Sequence, residues 1–171
     1  MQKLKLILFS AVLLQFFLTL SISSENIISG KAFVTDGDTI KINKKKIRLF
    51  GIDSPEKKQF CKKVYLSFLI FNFQKDYPCG EKATLALTKK LKGKIVRCEL
   101  KNSKDIYNRN IGICFVGKKD INSWLVKNGH AISYKRYSKK YILEEKYAIE
   151  NKLGIWQGSF MQPEKWRRIM N

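Results

Sequence analysis

The pattern of hydrophobic and polar positions divides the chain into three parts. Residues 6–20 form a nearly continuous apolar run. The middle part alternates apolar and polar positions in short stretches, which is typical of β-strands. Three of these stretches precede a long insertion, at 27–35, 39–43 and 47–52. Asp36-Gly37 and residues 43–46 separate them, and both separators are typical of hairpin turns.

The last part mixes helices with two further strands. Residues 80–91 repeat apolar positions every fourth residue and predict a helix, and strands are predicted at 94–100 and 110–116. Asp120 is placed to cap a second helix. Ser138 is expected to open a last long helix that carries Ile142, Ile149 and Leu153 and ends at Gly154. Five short strands with about three helices predict an α+β protein built on a five-stranded OB-type β-barrel.

The N-terminus has the pattern of an export signal. Lys3 and Lys5 precede the apolar run, and small residues follow it at 21, 23 and 24. This order predicts a secretory signal peptide over residues 1–23, followed by one domain over 24–171. We therefore expect a secreted or periplasmic protein. An uncleaved signal that anchors the protein in the membrane is the alternative.

Charge favours a polyanionic partner. The 171 residues include 34 Lys and Arg against 14 Asp and Glu, for a formal net charge of +20. Such an excess is typical of proteins that bind nucleic acid without reading its sequence. The single His excludes metal sites built from several histidines. A hydrophobic fraction of 44% excludes wholesale disorder.

Four cysteines agree with export into an oxidising compartment. None lies in a CxxC pair, which argues against zinc binding and thioredoxin-like chemistry. Three pairings are possible, of which we favour Cys61–Cys79 and Cys98–Cys114. Strand alternation can place the second pair on neighbouring strands.

An apolar segment separates Cys61 from Cys79. Residues 64–73 are almost entirely hydrophobic but too few to cross a bilayer. One interpretation is a buried flap held by a disulfide. The other is an exposed surface that contacts a membrane or a partner protein.

Acids and one arginine stand at the ends of the predicted core strands. Alternation places Arg48 on the same face as Phe50 and Ile52, where a guanidinium needs an anionic partner. Asp38 and Asp53 are suitable oxygen ligands for a hard divalent cation. Glu56 could position or deprotonate a water, so the set indicates metal-assisted phosphodiester hydrolysis. Taken alone, Asp36-Gly37 could simply be a hairpin turn.

Three motifs together resemble the thermonuclease family, the staphylococcal-nuclease-like proteins. They are DGDT at 36–39, RLFGIDSPE at 48–56 and YNR at 107–109, and the likeness runs from about Phe33 to Trp156. The resemblance implies an OB barrel with helices. It also implies calcium-dependent cleavage of DNA and RNA that leaves 3′-phosphate ends.

The resemblance assigns roles to individual residues. It implies that calcium binds to Asp38, Asp53 and the carbonyl of Ser54. It implies that Glu56 is the catalytic glutamate and that Arg48 and Arg109 bind phosphate. It also implies that Tyr107 contacts a nucleotide phosphate.

The chain departs from the family pattern at three places. Ser54 replaces the common Thr, and Asn108 and Asn110 replace glycines that flank the second arginine. Asn tolerates left-handed backbone angles, so the turn can survive. The base-contacting tyrosine of the family could be either Tyr134 or Tyr137.

A different class of function fits the same fold. An OB module without catalysis could bind nucleic acid or another anionic polymer. Loss of an acid or an arginine from the motifs would favour it, but all five positions are filled. In either case nothing in the sequence requires more than a monomer.

Overall fold

A computed structural model describes residues 26–170. The predicted signal peptide, residues 1–23, lies outside the described residues. The strands are β1 (Ile27–Asp36), β2 (Thr39–Ile42), β3 (Lys45–Leu49), β4 (Ile52–Asp53), β5 (Cys61–Phe68), β6 (Phe71–Tyr77), β7 (Ile95–Lys104), β8 (Asn110–Val116), β9 (Lys119–Asp120) and β10 (Ile132–Ser133). The helices are α1 (Cys79–Leu91), α2 (Ile121–Lys127), α3 (Ile142–Glu150) and α4 (Pro163–Met170), with a 3-10 helix at Gly154–Gln157.

Five strands close into a barrel, which confirms the predicted α+β fold. They follow the order β3-β2-β1-β7-β8 through antiparallel pairs, and a parallel pair between β3 and β8 closes the ring. Alternate side chains of these strands point inward and form the core with residues of α1 and α2. The fully buried members include Ile40, Ile42, Ile47, Val96 and Leu125.

The helices follow the sequence predictions except near the C-terminus. The Asp120 carboxylate caps α2 by accepting a hydrogen bond from the Ser123 backbone N–H at 3.0 Å. The prediction that Ser138 opens the last long helix is wrong, because α3 begins at Ile142. Within α3, Ile149 is 45% exposed. Within residues 26–170, no helix is both long and apolar enough to cross a membrane.

Glu145 lies on the inward face of α3. This carboxylate is buried together with Ala148. One of its oxygens accepts a hydrogen bond from the Ser133 N–H at 3.0 Å. The other forms an ion pair with Lys135 at 2.7 Å. A paired acid therefore occupies an inner position of α3.

The structure contains disulfides between Cys61 and Cys79 and between Cys98 and Cys114. These are the two pairs that the sequence favours. The second cross-links neighbouring strands β7 and β8 inside the barrel, where Cys98 lies directly opposite Cys114.

The apolar segment is not a buried flap. β5 and β6 pair with each other as a separate two-stranded hairpin. Its turn residues Leu69 and Ile70 are 86% and 87% exposed. The interpretation as a flap is therefore wrong, and the hairpin projects from the barrel.

Candidate active site

The turn between β1 and β2 fixes Asp38 in the site. Asp36 accepts a hydrogen bond from the Asp38 N–H at 3.1 Å, and Asp38 Oδ2 accepts one from the Ser54 N–H at 2.8 Å. Glycine is needed at position 37, because a Cβ there would lie 2.1 Å from Ser54 Oγ. The close approach of this turn to Ser54 brings Asp38 next to β4.

Arg48 joins the two aspartates. From β3, its guanidinium donates to Asp38 Oδ1 and, at 2.6 Å, to Asp53 Oδ1. Both aspartate side chains are almost fully buried, at 3% and 0% exposure. A buried guanidinium is costly unless anions pair with it, and this one has two. Asp38 and Asp53 therefore face the same site.

Burial and pairing set the pKa values of the cluster. Loss of hydration raises the pKa of the Asp38 carboxyl to about 6, although Arg48 opposes the shift. Burial lowers the pKa of Arg48, but the charges of Asp38 and Asp53 outweigh it and the net shift is upward. The guanidinium therefore stays charged and holds the two carboxylates together.

Arg109, immediately before β8, reaches the site through Thr39. Asp105 orients its side chain by accepting from Nε at 2.6 Å, and one terminal nitrogen lies 3.3 Å from Thr39 Oγ1. Thr39 in turn donates to Asp38 Oδ1 at 3.2 Å. Asn108 adopts the left-handed φ of 59° that this turn requires.

The two predicted phosphate contacts of the YNR motif lie side by side. The Arg109 guanidinium is 5.3 Å from the ring centroid of Tyr107. Tyr107 itself is 72% exposed. An exposed aromatic ring beside a guanidinium is a suitable surface for a nucleotide.

Glu56 lies in the loop after β4 and is held by its backbone. Its N–H donates to the side chain of Gln59 at 3.2 Å, and its carbonyl accepts from the Gln59 N–H at 2.7 Å. Gln59 is fully buried and also donates to the Met161 carbonyl at 2.6 Å. The loop is therefore fixed on both sides, while the Glu56 carboxylate remains 30% exposed.

Arg167 is the site residue that sequence reasoning missed. From α4, it donates to both oxygens of Asp53 at 3.0 Å and to Glu56 Oε1 at 2.7 Å. Burial lowers its pKa, but Asp53 and Glu56 outweigh that effect and the pKa is raised. In the sequence, Arg167-Arg168 looks like one more basic surface pair. Nothing local marks it, because 111 positions separate Arg167 from Glu56.

The charges at this site fit a hard divalent cation. The carboxylates of Asp38, Asp53 and Glu56 face two guanidiniums, Arg48 and Arg167, so one negative charge is left over. Oxygen donors of this kind suit calcium or magnesium better than zinc. Among residues 26–170, no group of three or more His, Cys, Asp or Glu side chains has the arrangement of a complete metal site. Backbone oxygens, waters or substrate would have to complete the coordination.

Two tyrosines and the only histidine border the site. The rings of Tyr134 and Tyr137 are in edge contact, with centroids 4.8 Å apart, so the structure favours neither as the base contact. The Ser54 hydroxyl donates to the His130 carbonyl at 2.9 Å. Burial lowers the pKa of the His130 ring, which lies 5.4 Å from the Trp124 ring.

Comparison with known families gives a match over most of the described residues. The family described as staphylococcal nuclease homologue matches residues 46–158. This range contains Arg48, Asp53, Glu56 and Arg109, and it begins after Asp38.

Individual relatives carry different names. An "uncharacterized endonuclease" of Haemophilus influenzae is 31% identical over 170 residues, covering 95% of this chain and 85% of that protein. A succinoglycan biosynthesis protein of Rhizobium meliloti is 34% identical over 157 residues, covering 90% and 76%. A staphylococcal-like nuclease of Arabidopsis thaliana is 30% identical over 148 residues, covering 83% of this chain and 39% of that protein.

Proposed function

The chain belongs to the staphylococcal nuclease homologue family, and we propose that it is a calcium-dependent endonuclease. In this proposal it hydrolyses phosphodiester bonds of DNA and RNA and leaves 3′-phosphate ends. The observation that supports it best is that two buried aspartates, Asp38 and Asp53, both accept hydrogen bonds from the guanidinium of Arg48. Glu56 lies at the same site. Nuclease-named relatives support the reaction class.

Arg48 and Arg109 bind the scissile phosphate in this mechanism. Both are held by carboxylates, Arg48 by the two aspartates and Arg109 by Asp105. A guanidinium fixed in this way donates to non-bridging phosphate oxygens without moving as the reaction proceeds. The guanidiniums of Arg48 and Arg109 then stabilise the negative charge that develops on the phosphoryl oxygens in the transition state.

Glu56 acts as the general base. A water held by the carboxylate loses its proton to Glu56 as its oxygen attacks phosphorus. The bond from phosphorus to the 5′-oxygen breaks, the 5′-oxygen takes a proton from solvent, and the phosphate stays on the 3′ side. Arg167 contacts Oε1 of Glu56, which leaves Oε2 to accept the proton.

Asp38 and Asp53, with the carbonyl of Ser54, would hold the calcium ion. When bound, calcium supplies positive charge next to the phosphate and lowers the pKa of water. The two aspartates lie on different segments of chain and share Arg48, which orients both.

The working protein in this proposal is an exported monomer that comprises residues 24–171 as one domain. Disulfides are typical of oxidising compartments, and the structure has two of them. The basic surface attracts nucleic acid of any sequence, and this attraction should weaken with salt.

Plasmid cleavage by the full chain tests the proposal. We expect strand breaks with calcium and none with a chelator. The ends should resist extension by a polymerase until a phosphatase has removed the 3′-phosphate. Binding that survives the chelator with no strand breaks would support the non-catalytic OB module instead.

Substitution of Glu56 tests the general base. We expect Glu56→Gln to lower the rate at least about 100-fold without loss of the folded circular-dichroism spectrum. Glu81→Gln is the matched control, because Glu81 is exposed on α1 and the two variants differ from the parent by the same charge. Equal rates in both variants would remove Glu56 from the mechanism.

A further inference from the structure

The β5–β6 hairpin, residues 61–77, presents an exposed apolar face. The strand register pairs Leu66 with Phe73 and Phe68 with Phe71. Directly opposed residues share one face of a hairpin. All four side chains are between 47% and 65% exposed, and a contiguous apolar patch of this kind marks an interaction surface.

The turn extends this face to a tip without charges. Leu69 and Ile70 are the most exposed large hydrophobic side chains of the hairpin, at 86% and 87%. Residues 64–74 contain no Asp, Glu, Lys or Arg. A nucleic acid offers phosphates, and this tip has no group to pair with them.

The base of the hairpin is fixed to the rest of the molecule. The Cys61–Cys79 disulfide joins it to α1. The Lys62 N–H donates to the Ser159 carbonyl at 2.8 Å, and the Tyr77 hydroxyl donates to the Gly154 carbonyl at 3.2 Å. The apolar tip is therefore held away from the barrel.

Lysines lie between the apolar tip and this base. Lys63 and Lys75 are directly opposed across the strands. Lys75 lies over the ring of Tyr65, with 5.8 Å from its ammonium to the ring centroid. At the usual rise of a strand, this pair stands roughly 20 Å from the tip. An apolar tip, an aromatic ring and a pair of lysines follow one another in the order in which a bilayer presents hydrocarbon, interface and headgroups.

We propose that the tip of the hairpin, residues 68–71, inserts into the surface of an anionic lipid bilayer. Lys63 and Lys75 then contact the headgroups. Insertion is shallow, because the outer edges of a two-stranded hairpin keep unpaired N–H and C=O groups that must remain hydrated. A second copy of the chain is a poor occupant, since both copies carry a charge of +20.

The proposal is tested with a fluorescent label at the tip of the full chain. All four cysteines of the sequence form disulfides, so Ile70→Cys supplies a single free thiol for an environment-sensitive dye. Ile106→Cys is the matched control, because Ile106 is 91% exposed at another loop. The probes are vesicles of phosphatidylcholine with phosphatidylglycerol, and vesicles of phosphatidylcholine alone.

We expect a blue shift and quenching by doxyl lipids for the dye at 70, only with anionic vesicles. The dye at 106 should not respond. This contrast holds even if residues 6–20 also bind the vesicle, because each dye reports its own surroundings. No response at 70, equal responses at both positions, or a response at 70 that needs no lipid and rises with protein concentration would each overturn the proposal.

Charge substitutions in the labelled protein test the lysines. Lys63→Gln with Lys75→Gln should weaken partition into anionic vesicles by about tenfold or more. Lys45→Gln with Lys118→Gln changes the net charge equally at exposed positions away from the hairpin. Equal partition of the two double variants would contradict headgroup contact by Lys63 and Lys75. None of these measurements depends on nuclease activity, so the proposal can fail while the proposed function stands.

Discussion

Arg167 and a divalent cation should compete for the same carboxylates, and Arg167→Gln tests this. Arg167 donates two hydrogen bonds to Asp53, the proposed calcium ligand, and one to Glu56. With Arg167 present, the three carboxylates and two guanidiniums carry a net charge of −1. Removal of the guanidinium makes that charge −2, so we expect the Arg167→Gln variant to bind calcium more tightly.

Coulomb's law gives the scale of the effect at low ionic strength. A guanidinium about 6 Å from a divalent cation repels it by about 1.4 kcal/mol even at the dielectric constant of water, which is a factor of about ten in affinity. The Arg167 side chain is 29% exposed, so solvent screens part of the interaction but less than at a free surface. We therefore expect the calcium dissociation constant to fall about tenfold in the variant.

Arg168→Gln is the matched control. Arg168 is the next residue of α4, and its substitution removes the same charge. Its side chain is 73% exposed, and one guanidinium nitrogen lies 3.9 Å from Glu164 Oε1. Calorimetric titration with calcium, and the rise in Tm that calcium causes, measure the affinity of each protein. Equal affinity of the two variants, or weaker binding by Arg167→Gln, would refute the competition. Both measurements work without substrate, so they do not depend on cleavage.

Three further changes test other parts of the molecule. A Cβ on Gly80 would lie 1.7 Å from the Glu56 carbonyl oxygen, so Gly80→Ala should cost at least about 1 kcal/mol of stability in urea and lower the cleavage rate. Replacement of Cys98 and Cys114 by Ala opens a cross-link with a sequence separation of 16 and should cost about 3 kcal/mol in the same assay. Burial lowers the pKa of His130, so its neutral ring contributes stability above the unfolded pKa of about 6.5 that is lost as pH falls. His130→Gln should therefore reduce the drop in Tm on acidification.

Each of these three predictions would be contradicted by a specific outcome. A Gly80→Ala protein as stable and active as the parent would mean that the loop at Glu56 and α1 are not in close contact in solution. Unchanged urea stability after loss of both cysteines would mean that the disulfide does not restrict the unfolded chain. An identical pH dependence of Tm in the His130 variant would assign the acid sensitivity to other groups.

The barrel could be predicted from the sequence because the pattern that specifies each strand lies within a few consecutive residues. Alternation along β1 to β3 and the turn at Asp36-Gly37 define which side chains point inward. Alternation does not place Arg48 correctly, because β3 ends at Leu49 and a turn at Phe50 and Gly51 interrupts the face that Arg48 is predicted to share with Ile52. The two aspartates that bind it lie within ten positions along the chain, close enough for two adjacent turns to bring them together.

The parts that could not be predicted depend on contacts between distant segments. Arg167 reaches Asp53 only because α4 packs back onto the loop that contains Glu56, with Gln59 bonded to Met161 just before that helix. The exposure of residues 64–73 is a second example. Hydrophobic composition says that a segment avoids water, but it does not say whether the protein itself or another surface covers it.

The parallel pairing of β3 with β8 decides at which stage of folding the complete site forms. Arg48 lies in β3 and Arg109 immediately precedes β8, so the two guanidiniums converge only when these strands pair. A chain threaded unfolded through an export channel contains each residue of the site yet has no means of cutting a polynucleotide. If the chain is exported as proposed, the two guanidiniums would therefore come together only after export, where β3 and β8 pair.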